Sequence, residues 1–111
     1  MSRGQNETFV DLCLKGTVLL EEVDDFIDRW HENPEGQSLR EFLGMSDSEY
    51  ELWVNDPETL PYVILSRKDH KPLTKIINDN YYSEARMAAR SDENSKIKFL
   101  KRWLKEQGYL A

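Results

Sequence analysis

Leu19, Leu20, Val23, Phe26, Ile27 and Trp30 recur at helical spacing and, at about 100° per residue, fall in one stripe about 120° wide. A chain with such a stripe has to bury it, so an amphipathic helix packed on a core is its first firm element. Thr17 is placed to cap this helix, Glu21 and Glu22 suit its early turns, and Asn33-Pro34 closes it because proline disfavours a helical residue before it. Upstream, Phe9, Val10, Leu12, Cys13 and Leu14 are helical in pattern but meet Gly16. Two helices meeting at the glycine, or one long helix using it for close packing, both satisfy the pattern.

Punctuation divides the rest into short helices. Pro34-Glu35-Gly36-Gln37 reads as a turn, after which Ser38 caps a helix through Leu43 that Gly44 stops. Ser46-Asp47-Ser48-Glu49 is a capping box that opens a helix to about Val54, ahead of Asn55-Asp56-Pro57. Tyr62-Val63-Ile64-Leu65 has the composition of a strand, but nothing nearby offers a pairing partner, so Thr59 to Leu65 is read as helix. Pro72 suits a helix start, and Leu73, Ile76 and Ile77 supply an apolar edge. Asn78-Asp79-Asn80 is expected to break or bend that helix before another from about Tyr81 to Arg90. Ser91-Asp92 begins the last one, in which Ile97, Leu100, Trp103 and Leu104 share one face, Lys98, Lys101, Arg102 and Lys105 the other, and Gly108 the end. The expected fold is all-α, a compact single-domain bundle of about five to seven helices over residues 1–111 with a helix-turn-helix-like centre and a flexible lead-in at 1–7.

Three Trp, four Phe and five Tyr can anchor a core in 111 residues. No apolar run approaches the roughly 18–20 residues that span a bilayer, and Met1 to Glu7 leads into acidic sequence rather than a signal-peptide core. A cytoplasmic protein with no membrane association is expected. The single Cys13, between Leu12 and Leu14, reads as a buried thiol.

The net charge of −6 is unevenly distributed. Residues 1–61 hold four Lys/Arg against fifteen Asp/Glu, a net of −11, and residues 62–111 hold eleven against six, a net of +5. Such polarity either steers a charged partner to one face or pairs the two halves internally.

The segment Ser38 to Trp53 resembles the helix-turn-helix of Cro-like repressors, with Leu39 and Leu43, the turn at Gly44, and then Met45, Tyr50 and Trp53 where that motif packs two short helices. It departs from the motif at Arg40, where a small residue is usual, and in the Asp47, Glu49 and Glu51 of the would-be recognition helix, which would repel phosphates. The resemblance therefore implies a local fold rather than DNA reading. More broadly, Leu43-Gly44-Met45-Ser46, Tyr50, Trp53-Val54, Asp56-Pro57, Leu60-Pro61, Asn78-Asp79-Asn80-Tyr81, Arg86 to Arg90 and Trp103-Leu104-Lys105 are similar to small uncharacterised bacterial proteins of mobile elements and toxin–antitoxin neighbourhoods. That likeness implies an accessory or antitoxin-like role and carries over no functional residue.

Two charged surfaces are candidates for binding. Glu21, Glu22, Asp24, Asp25 and Asp28 lie opposite the apolar stripe, where they suit a basic protein partner such as a toxin. Arg86, Arg90, Lys98, Lys101, Arg102 and Lys105, with Tyr81 and Tyr82 beside them, form the alternative, a grip on nucleic-acid phosphates and bases. Catalysis is not expected. His31 is followed by Asn33-Pro34, which prevents a helical pair of metal-binding histidines, and neither it nor His70 has a Ser or Cys nucleophile at a motif-like position. Asp79, between two asparagines, fits a turn better than polar machinery. No cofactor or metal is expected, and the leading reading is a non-enzymatic, antitoxin- or inhibitor-like binder that uses its acidic surface.

Overall fold

The computed structural model describes residues 7–88 and 95–109, and every regular element among them is helical. The chain divides into two compact units, residues 1–50 and residues 51–111. Of the expected flexible lead-in, residues 1–6 lie outside the described part, and Glu7 is paired with Lys15.

In the first unit, α1 (Phe9–Leu14) opens with a capping box between Thr8 and Asp11, and the chain turns at Gly16. The stretch from 8 to 31 is thus two helices. The second begins later than its apolar pattern suggests. Leu20–Glu22 is a 3-10 turn in which the Glu22 carboxylate accepts the Leu19 N–H at 2.8 Å, and α2 proper is Val23–Glu32. Leu19 is therefore 65% exposed, and of the predicted stripe only Phe26 is buried. Phe26 packs edge-on against Phe9 at 5.0 Å and lies 6.3 Å from Phe42, with the Arg29 guanidinium 4.1 Å over its ring. Asn33 ends α2, and Trp30 Nε1 donates to Gln37 O at 2.8 Å across the following turn.

Ser38 and Glu41 cap α3 (Leu39–Leu43), which ends at Gly44 in the left-handed region with φ 87°. A Cβ at Gly44 would collide with Thr8, whose Oγ1 and Cβ already fill that space, so the position is closed to side chains both sterically and conformationally. Ser46 and Glu49 form the expected capping box of α4 (Asp47–Asn55). Arg40, the departure from the helix-turn-helix pattern, donates to Met45 O at 3.0 Å and pairs with Asp47 at 3.1 Å, bracing the turn between α3 and α4.

In the second unit, a 3-10 turn (Pro57–Thr59) leads into α5 (Leu60–Asp69), with a proline in the first turn of each. The strand-like Tyr62 to Leu65 is helical because Val63 drops into a core with Leu52, Ile77, Tyr82, Ile97, Leu100, Trp103 and Leu104. His70 ends α5 in the left-handed region, and Ser66 Oγ donates to Lys71 O at 2.6 Å. Next, α6 (Leu73–Ile77) does not break at Asn78-Asp79-Asn80. Asn78–Tyr82 forms a π-helical turn that continues into α7 (Ser83–Ala88) with helical dihedrals at both joints. An α-helical continuation would rotate Tyr82 and Ala85 away from the face of Ile76 and Ile77. One extra residue in the turn, about 100° of phase, returns them to it. The expected start of the last helix at Ser91-Asp92 lies outside the described residues, and α8 is Ser95–Glu106, closed by Gly108.

Candidate functional site

On α2, Asp24, Asp25 and Asp28 are exposed, as is Glu21 in the 3-10 turn that precedes it. Glu22 differs from the prediction, because capping the Leu19 N–H turns it back along its own chain. Cys13 is half-buried rather than enclosed, and its thiol pKa is raised, mainly by burial and further by the Glu22 carboxylate.

The basic residues are less available than their pattern suggests. On α8, Lys98, Lys101, Arg102 and Lys105 are exposed opposite the buried Ile97, Leu100, Trp103 and Leu104. Arg102, however, reaches Glu51 at 3.8 Å and Glu106 at 3.7 Å and lies 5.4 Å over Phe99. Arg86 lies 5.7 Å from the Tyr82 ring, and Arg90 falls outside the described residues. Tyr82 is core, not a base-stacking platform. Asp79 pairs with Lys75 at 2.9 Å one helical turn away, which holds its carboxyl below the usual range. His31 and His70 are exposed, in separate units. Among the described residues no three His, Cys, Asp or Glu side chains gather into a group able to hold a metal, and no helix is long and apolar enough to cross a membrane.

Among the described residues a dense polar constellation surrounds Asp56, which the sequence patterns do not single out. Asp56, between α4 and the 3-10 turn, has a side chain only 8% exposed. Its Oδ2 accepts the Tyr81 hydroxyl at 2.8 Å and lies 4.0 Å from Lys96 Nζ. Lys96 also reaches Glu58 at 3.3 Å and sits 5.1 Å from the centre of the Tyr81 ring. The π-helical turn places Tyr81 here, which fits the tendency of such turns to occur at functional positions. Beside this network Asn55, Asp56, Ser95, Lys96 and Phe99 line a cleft of about 290 Å³. One signal was available: Lys96, Leu100 and Trp103 follow a four-then-three spacing, which puts a cation inside an apolar stripe.

Burial is the main reason the Tyr81 pKa is pushed from 10.0 up to about 12; Asp56 acts in the same sense and Lys96 opposes them. The ammonium of Lys96 is raised above its ordinary value, first by the bond with Tyr81 and then by Asp56 and Glu58. Both groups are proton-bound more tightly in the folded chain than in the unfolded one. Their contribution is therefore complete below the unfolded values and is lost as pH rises. The melting temperature is expected to fall between pH 10 and about 12. Tyr81→Phe should flatten that fall when melting is followed by circular dichroism across the same range; an unchanged slope would show that Tyr81 does not couple to folding.

No protein-family model, curated protein or solved structure matches the chain.

Proposed function

We propose that this chain is a non-enzymatic, antitoxin- or inhibitor-like binding protein that covers a basic protein with the acidic face of α2. The observation that carries this reading is the contrast in how carboxylates are used. In residues 51–111, Glu51, Asp56, Glu58, Asp79 and Glu106 each lie against a Lys or Arg. Among the described residues Glu21, Asp24, Asp25 and Asp28 have no cationic partner. Residues 1–50 hold four Lys/Arg against twelve Asp/Glu, a net of −8, while residues 51–111 hold eleven against nine, a net of +2. An exposed carboxylate face on a strongly negative unit raises the encounter rate with a basic surface and disfavours acidic ones. A nucleic-acid role for the outer face of α8 has less support, since Arg102 is shared between two carboxylates.

Copurification from the cells that make this protein, with mass spectrometry, is expected to recover a basic protein whose retention falls with added salt. Reversing Asp24, Asp25 and Asp28 together to Lys should weaken that complex by about a hundredfold, as removal of several interfacial charges does. A partner held equally well by the triple variant would overturn the assignment of this face.

A further inference from the structure

The cleft beside Asp56 has features that folding alone does not require. Asp56 occupies the N-cap position of the Pro57–Thr59 turn, where an aspartate ordinarily accepts a backbone N–H, yet its side chain makes no capping bond. The carboxylate is turned toward Tyr81 and Lys96 instead, and both of those contacts fall on Oδ2. Among the described residues Oδ1 has no donor, although the side chain is over nine-tenths buried. Buried carboxylate oxygens are rarely left in that condition, because the lost hydration has to be replaced. The cleft lined by Asp56 is where the replacing donor can enter.

The rest of the lining says what kind of donor. Among the described lining residues Lys96 is the one cation and Asp56 the one anion, and the Ser95 hydroxyl, the Asn55 amide and the Phe99 ring complete the described lining. Glu58 pairs with Lys96 but is not part of the lining. A ligand with a single charge satisfies one wall and is repelled by the other, whereas adjacent positive and negative groups satisfy both. The size is also restrictive. At about 290 Å³ the cleft lies at the lower end of small-molecule sites, which run from about 300 to 1,000 Å³.

We propose that this cleft binds a small zwitterion of the α-amino acid class, with its ammonium donating to Asp56 Oδ1, its carboxylate accepting from Lys96 Nζ, and its side chain against Phe99. The site lies wholly within residues 51–111 and does not depend on any role of the α2 face.

Titrating the full chain with each protein amino acid in turn, up to about 10 mM, should give saturable amide shifts at Asn55, Lys96 and Phe99 for at least one of them. n-Propylamine and propionate should bind roughly tenfold more weakly or worse, because each lacks one charge-assisted contact. Ser95→Phe fills the cleft from an exposed helical position while replacing none of Asp56, Tyr81 and Lys96, so it should abolish binding with little change in melting temperature. Asp56→Asn should weaken ammonium binding in the same assay. Absence of saturable shifts with every amino acid, equal binding of propylamine or propionate, or full binding by Ser95→Phe would each overturn the proposal.

Discussion

Trp103→Ala should unfold residues 51–111 more effectively than any other single truncation in the chain. Trp103 is the largest side chain with no exposed surface, and it packs in one cluster with Leu52, Val63, Ile77, Tyr82, Ile97, Leu100 and Leu104. Deleting a buried tryptophan costs about 3–5 kcal/mol, from lost transfer energy and from a cavity the neighbours cannot fill. Small domains have only about 5–15 kcal/mol in all. Urea titration followed by far-ultraviolet circular dichroism is expected to show either a midpoint moved steeply downward or a chain already partly unfolded in buffer. Lys101→Ala, on the exposed side of the same helix, should stay within about 0.5 kcal/mol of the wild type. If the two variants melted alike, α8 would not be the center of this core.

Gly44→Val is the counterpart for residues 1–50. The left-handed backbone at φ 87° costs a residue with a Cβ about 1–2 kcal/mol, and a β-branched one at the upper end. The obstructing atoms cannot easily move. Thr8 is itself β-branched, and its Oγ1 accepts the Asp11 N–H at 3.1 Å as the cap of α1. Swinging it aside gives up a cap contributing about 1 kcal/mol, and staying put overpacks the contact by about 1–3 kcal/mol. A loss of roughly 3–5 kcal/mol is expected by denaturant titration. Combining Gly44→Ala with Thr8→Ala should cost less than the sum of the two single changes. Strict additivity would mean that the two positions do not touch.

The all-helical class was legible because its signals are local. The boxes at Ser38-Glu41 and Ser46-Glu49, the proline after Asn33 and the glycines at 16, 44 and 108 mark ends that the structure reproduces. The readings that needed correction depend on distant contacts or on geometry outside the α-helix. Leu19 fits the apolar stripe in phase but precedes α2, and its exposure follows from the 3-10 turn at its start. Asn78-Asp79-Asn80 reads as a break or bend because three residues that favour turns stand together, whereas a π-turn carries the helix through them. At the candidate cleft, Asp56 before Pro57 has the appearance of an ordinary cap. Its partners Tyr81 and Lys96 lie 25 and 40 positions along the chain, beyond the reach of any local pattern.

The π-helical turn has a consequence for how this protein can vary. Because Asn78–Tyr82 contains one residue more than an α-helix would use, segment length rather than residue type decides which side chain meets Asp56. Loss of a single codon in this stretch would close the wide turn into an ordinary α-helical one, leaving α7 on its present face and resetting only the residues of the turn itself, Tyr81 among them. The cleft would then be remodelled without one of its lining residues being replaced. Insertions and deletions, usually confined to loops, are here a direct means of altering a buried polar site.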